Sequence, residues 1–435
     1  MPKSIVDAKG TSQDAHFGMV GGELNAADLE KAGWGIMFGA TVSKSIKDRL
    51  QALIQHRKEE VGDEQLCPEL PPPAPRQSAQ QWLRAQPGGP SLNVVDPRKG
   101  VPFYVLIVAS PEDISFDFQY ELDLYWGVGR LWLESPAAFE RYAGSVIAYE
   151  KLDRVATARK VTIFAPDYNG KDNGAAKLLL NNLILPMANG GRLESDRFQL
   201  QQFLGPNATR DNLHKIFTGE VDGGAPAILF SGSHGLLRHP NSDFLADTQG
   251  AVLCQEWQGE PPREETYYSS LNFPRKPAIH GMVHFLFACY SVGWPKHDTF
   301  NYEKKVAIAP SPMMARLPQK LLGAENGALA VLGHVDRAWS SSYTDAGGPQ
   351  EQGFVDVILR IIAGNRMGSA TDQFNFRWAA LTIPLAATQQ KMLTEDGLED
   401  EARNQWIRRD DARNYILHGD PAVRLKTSKR NMPPI

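Results

Sequence analysis

The sequence predicts an α/β fold on a mostly parallel central sheet, and three observations predict it. Apolar runs of strand length recur along the chain, at 101–108, 160–165, 227–230, 284–288 and 328–333. They are near-continuous rather than alternating, as strands buried on both faces require. Stretches with helical spacing lie between them, so strand and helix alternate. Two of the runs also end in a reactive side chain. Ala227-Ile228-Leu229-Phe230-Ser231-Gly232-Ser233 leads to His234-Gly235, and His284-Phe285-Leu286-Phe287-Ala288 leads to Cys289-Tyr290-Ser291. A buried parallel strand delivers such groups to the carboxyl edge of the sheet, where open α/β folds place their sites.

Residues 1 to about 20 are polar, with scattered Gly, Ser and Asp, and read as poorly ordered. Residues 33–40 read as a strand and 43–57 as a helix with Ile46, Leu50, Leu53 and Ile54 on one stripe. The intervening loop 39–45 lacks the Gly before Lys that a phosphate-cradling loop needs. A cluster of prolines (Pro68, Pro71, Pro72, Pro73, Pro75) and the run Pro87-Gly88-Gly89-Pro90 follow, which is linker chemistry. The expected division is therefore an N-terminal strand-helix extension at 1–66, a linker at 67–97 and a main domain at 98–435.

Within the main domain, 116–126 alternates strictly, with Phe116, Phe118, Tyr120, Leu122, Leu124 and Trp126 on one side, which predicts a half-buried strand. Ser135-Pro136 opens a helix running to about Lys151. Residues 174–187 are helical in pattern up to Asn189-Gly190-Gly191, and Thr209 caps a helix over 210–217. Residues 244–254 suggest a hairpin around Asp247-Thr248-Gln249-Gly250. Helical patterns recur at 317–322, 353–363 and 373–381. Gly347-Gly348 marks either a mobile substrate wall or a plain surface loop.

Composition narrows the function. A formal net charge of −4 offers no basic excess for a phosphate backbone, so nucleic acid is not an expected partner. The first 22 residues carry charges where a signal peptide needs an apolar core, and the apolar windows fall short of the roughly 18 residues of a membrane span. A soluble, cytoplasmic protein without membrane contact is expected. Three cysteines (Cys67, Cys254, Cys289) make no disulfide framework, although an incidental pair stays open.

A thiol near its ordinary pKa of about 8.5 becomes a nucleophile when an imidazole takes its proton. Two neighbouring parallel strands ending at one edge would bring Cys289 and His234 together. Gly235 has no Cβ, so its N–H and that of Cys289 could approach an oxyanion. Set against this, a lone Cys at a strand end is more often a small buried hydrophobe. The pairing of the two strand ends, each flanked by small residues, favours catalysis.

The blocks ending in Ser233-His234-Gly235 and Ala288-Cys289 resemble the paired His-Gly and Ala-Cys signatures of caspase-like cysteine peptidases, a group including metacaspases, gingipains, separase and CHAT-domain proteases. Gly419-Asp420-Pro421-Ala422 is similar to the closing segment of CHAT and gingipain-like domains, so the resemblance spans about residues 100–425. After Cys289, Tyr290-Ser291 replaces the Gly-rich continuation of caspases. The resemblance implies a caspase-like three-layer sandwich with a small N-terminal extension. It also implies a cysteine endopeptidase with Cys289 as nucleophile, His234 as general base and acid, and Gly235 as oxyanion donor. A protein or peptide substrate and an activating partner go with it; no cofactor or metal does.

Family members that cut after basic residues use acidic pockets. Asp167 and Asp336, each just beyond a strand, are the substrate-binding candidates for such a pocket, and a turn role is the alternative for Asp167. His280, His284, Cys289 and His297 match no zinc spacing, and no Gly-x-Ser-x-Gly elbow is present. The rival reading is a catalytically idle caspase-like scaffold or regulatory protein.

Overall fold

The computed structural model describes residues 25–89, 95–172, 174–194, 198–301, 303–345 and 347–428. The N-terminal stretch expected to be poorly ordered lies outside the described residues.

The apolar runs become one sheet of ten strands: β1 (Trp34–Phe38), β2 (Glu69–Leu70), β3 (Tyr104–Val108), β4 (Gly127–Arg130), β5 (Ala158–Ala165), β6 (Gln199–Leu204), β7 (Pro226–Gly232), β8 (Val283–Phe287), β9 (Ala330–His334) and β10 (Tyr415–Gly419). Their order is β2-β1-β3-β4-β10-β9-β8-β7-β5-β6. Pairing is parallel from β6 through β5, β7 and β8 to β9, and likewise among β1, β2, β3 and β4. β10 runs antiparallel to β9 and meets β4 at the single pair His418–Arg130. β3, β7, β8 and β9 are buried at every position, which is why their sequences carry no polar alternation.

Helices cover both faces. Phe285 and Phe287 of β8 pack against Phe354 of the helix Gln352–Ile362, and Phe285 meets Phe374 of the helix Asp372–Lys391 edge-on. Phe374 stacks on Tyr415 with ring centroids 4.4 Å apart. On the other face, Phe217 of the helix Arg210–Thr218 packs on His284. Tyr142 of the helix Pro136–Lys151 donates its hydroxyl to the Leu329 carbonyl at 2.9 Å. Among the described residues no helix is long and apolar enough to cross a membrane.

The stretch before the main domain supplies β1 and β2 to this same sheet, and Ser78 caps a short helix, Ala79–Arg84, within the Pro-rich segment. Arg57 and Asp420 are both wholly buried and joined at 2.8 Å, and Trp34 Nε1 donates to the other Asp420 oxygen at 2.9 Å. The Gly-Asp-Pro closing motif therefore clasps the N-terminal strand and helix.

Two expectations are corrected. Residues 116–126 do not form a strand: Phe116–Asp123 is a helix, capped by the Ser115 hydroxyl accepting from Phe118 N at 3.2 Å. Of the intervening polar residues, Gln119 and Asp123 are buried against the strand that follows, while Asp117 stays exposed. Arg130 Nε donates to Gln119 Oε1 at 2.8 Å, and Val128 N donates to Asp123 Oδ1 at 2.8 Å. The strand comes afterwards, at Gly127–Arg130. Residues 244–254 do not form a hairpin either. Leu245–Thr248 is a helical turn, and Val252–Leu253 pairs antiparallel with the more distant Tyr267–Tyr268.

Candidate active site

β7 and β8 lie side by side and parallel, Ile228 to Gly232 opposite Val283 to Phe287, so the His and Cys segments leave the sheet at one edge. The ladder continues past the strands through Ser233 N donating to the Phe287 carbonyl at 3.1 Å. Gly235 then rests on the backbone of Cys289. A Cβ at Gly235 would sit 2.7 Å from the Cys289 carbonyl carbon and 2.9 Å from its nitrogen, so no other residue fits there without displacing the Cys289 segment. Gly250 makes the same kind of approach one residue later, against the Tyr290 carbonyl.

Tyr290 itself is in the left-handed region at φ 59, a conformation a bulky residue holds only when its surroundings impose it. Its N–H donates to the Asp336 carbonyl at 2.7 Å. The Ser291 hydroxyl donates to the Leu286 carbonyl at 2.8 Å and accepts from His334 N at 2.9 Å. These bonds tie the ends of β8 and β9 together and turn the chain sharply just after Cys289.

The His234 ring is 39% exposed at the side chain, and its Nε2 lies 2.9 Å from Asp172 Oδ2. Asp172, with a side chain 1% exposed, is itself held by Gly174 N at 3.2 Å and Ala176 N at 2.5 Å, at the start of the helix Ala175–Leu179. Tyr168 stacks on the imidazole at 5.5 Å and 23°, accepts the His234 N–H at 3.1 Å, and donates to the Leu253 carbonyl at 3.0 Å. The imidazole is thus fixed by a carboxylate on one edge and a buried ring on one face.

The Cys289 thiol is partly buried, and Sγ lies 3.4 Å from Ala338 N and 3.6 Å from Ala338 O. Burial pushes the thiol up to about 11, with the Ala338 N–H partly opposing that rise. Cys67 and Cys254 are buried, and their thiols are likewise raised by burial.

Gly235, next to His234 in sequence, lies on the Cys289 backbone, and each of the two acidic candidates has partners of its own. Asp167 is half-buried and caps a turn: Oδ1 accepts from Asn169 N at 2.9 Å and Gln255 Nε2 at 2.7 Å. Asp336 is 1% exposed; Oδ2 accepts from Thr299 N at 3.0 Å and Thr299 Oγ1 at 2.6 Å, and Oδ1 from Arg337 N at 2.8 Å. Gly347-Gly348 belongs to a small ribbon pairing Thr344–Asp345 with Gly348–Pro349.

The histidines near Cys289 in sequence have other partners. His284 is buried with Nε2 2.8 Å from Ser231 Oγ, and burial lowers it to about 3. His280 Nε2 lies 3.0 Å from the Ser145 carbonyl. One cluster with metal-ligand geometry occurs among the described residues: His56, Glu60 and Glu150. Arg57 already pairs with both of its carboxylates, at 2.6 and 2.8 Å, so a guanidinium occupies the charge that a cation would need.

Asp172 escaped the reading of the sequence. It stands five positions past Asp167, and the helix start that follows Asn173-Gly174 is the signal that could have singled it out.

No family model matches the chain, and no curated protein matches it. Among solved structures, the complex of the Porphyromonas gingivalis RgpB pro- and mature domains aligns with a TM-score of 0.50 at 13% identity, covering 91% of this chain and 80% of that one. A structure described as a protease aligns with a TM-score of 0.51 at 12% identity, covering 91% and 79%. The fold is caspase-like. At these identities the likeness bears on the caspase-like fold alone, which the ten-stranded, mostly parallel sheet with helices on both faces matches.

Proposed function

We propose that the chain is a cysteine endopeptidase with Cys289 as nucleophile, His234 as general base and acid, and Asp172 as the residue that positions His234. One observation carries the reading: the His-Gly segment lies directly on the Cys289 backbone while a buried carboxylate holds the imidazole. A carboxylate on one ring nitrogen fixes the tautomer and steadies the imidazolium, leaving Nδ1 as the basic nitrogen. The thiol proton passes to His234, and the thiolate attacks the scissile carbonyl carbon. The resulting oxyanion is taken by the backbone N–H groups of Cys289 and Gly235. The imidazolium then protonates the leaving amine, giving a thioester, which a water activated by the same imidazole hydrolyses. Cleavage after Arg or Lys is the accompanying proposal for Asp167 and Asp336, and it requires one of the two carboxylates to exchange its present partners for the substrate cation.

The second reading, an idle caspase-like scaffold, is favoured by one observation: the thiol faces a backbone peptide, with its ionisation suppressed by burial. Incubation with a peptide library, with mass-spectrometric readout of cut sites, separates the two. Cleavage lost in Cys289→Ala and in His234→Ala supports the peptidase. No cleavage by the wild type supports the scaffold, and a preference for cutting after Asp would overturn the acidic-pocket assignment.

A further inference from the structure

The groups bracketing the Cys289 sulfur come from one segment, residues 337–342, which leaves β9 and crosses the active-site edge. Ala338 presents both its N–H and its carbonyl to Sγ, at 3.4 and 3.6 Å. The segment is tied down at two ends of different character. At its far end, the wholly buried Asp411 accepts from Trp339 N at 2.9 Å, Ser341 Oγ at 3.0 Å and Ser342 Oγ at 2.7 Å. At its near end, Arg337 Nη2 reaches both Asp298 oxygens at 2.6 and 2.5 Å. The Arg337 guanidinium also lies over the rings of Phe300 and Trp339. This second tie is the accessible one, with side chains 34% and 14% exposed, and it joins the segment to the loop between β8 and β9.

We infer that residues 337–342 form an inhibitory strap over the Cys289 thiol, with Asp411 as its hinge and the Arg337–Asp298 ion pair as its latch. The inference rests on the proposed nucleophile. With the strap closed, Sγ has a backbone peptide where a substrate carbonyl must come, and burial keeps the sulfur protonated. Releasing Asp298 removes the accessible side-chain tie at the near end, past the point where Asp336 anchors the chain, without disturbing the buried hinge. Anything that competes for Arg337 or Asp298, such as an acidic or basic group on a partner protein, would therefore expose the thiol. The enzyme would then be idle by default and switched on by contact.

The test reads the thiol directly and needs no peptidase activity, so its failure is distinct from failure of the proposed function. Full-length wild type, Asp298→Asn and Arg337→Gln are treated with iodoacetamide at about pH 8, and alkylation of each cysteine is followed by peptide mass spectrometry. The strap predicts that Cys289 reacts at least about tenfold faster in both variants, while Cys67 and Cys254 keep their wild-type rates. A second measurement needs no substitution: raising salt to about 1 M screens an accessible ion pair and should speed Cys289 alkylation in the wild type but not in the variants. Rates within about twofold of wild type in both folded variants, together with no salt effect, would overturn the strap.

Discussion

Asp172 is central to the proposed peptidase site, because an imidazole held by a buried carboxylate has a fixed tautomer and a fixed direction. Asp172→Asn keeps the size and loses the charge. It is expected to lower kcat by about 10²–10⁴-fold with KM little changed, as measured on whichever peptide the library identifies. The Cys289 thiol carries a pH prediction. With its pKa raised to about 11, the thiolate fraction grows about tenfold per pH unit and does not level off before about pH 10. Alkylation of wild-type Cys289 across that range should trace that slope; a plateau with a midpoint near the ordinary thiol value of about 8.5 would show the sulfur to be open. At this scale the sequence was legible in placement: the segments carrying His234, Gly235 and Cys289 leave adjacent strands at one edge, as the strand pattern predicts. It was silent at Asp172, whose role exists only because the fold brings it to a histidine 62 positions away. Asp167 and Asp336 show the same limit, since an acid after a strand serves a turn, a loop or a pocket equally well by sequence.

Elements were readable where burial alone decides them. β3, β7, β8 and β9 are predominantly apolar because both faces are covered, and periodicity reports that directly. The helix Phe116–Asp123 defeated the pattern for the converse reason. Two of its alternating polar residues, Gln119 and Asp123, are buried and bonded to β4, so the alternation does not mark one wet face. The same logic holds the N-terminal strand and helix to the rest. Burial works against the charge on Arg57, and Asp420 and Glu150 more than offset it. Arg57→Met would leave those carboxylates facing an apolar chain, at a cost of about 3–5 kcal/mol in urea-unfolding free energy. A loss below about 1 kcal/mol would mean that the clasp between the closing motif and the N-terminal elements contributes little.

Across the whole molecule, one sheet carries the site, and its buried histidines give it an acid limit. His284 stays neutral in the fold with a pKa of about 3, whereas an unfolded chain titrates near 6.5. The unfolded state therefore binds the extra proton, and this contribution is present above about pH 6.5 and is lost as pH falls from there toward 3. His284→Gln, which can keep the Ser231 bond, should flatten the fall of unfolding free energy between about pH 6 and 4.5 by up to about 1.4 kcal/mol per pH unit. An unchanged slope would assign the acid limit to other groups. Sheet topology was only partly legible: apolar runs announce strands, but the adjacency of β7 and β8 and the reversed β10 between β4 and β9 follow from long-range pairing that no local pattern encodes.

The central claim is that one sulfur, activated by one imidazole, carries out the chemistry. Its most direct test is labelling with a peptidyl-arginine chloromethyl ketone, on wild type and Asp298→Ala in parallel, with the adduct located by peptide mass spectrometry. The account predicts a single adduct on Cys289, absent in Cys289→Ala and formed at least about a hundredfold more slowly in His234→Ala. Labelling that persists in Cys289→Ala, or that proceeds undiminished without His234, would contradict it.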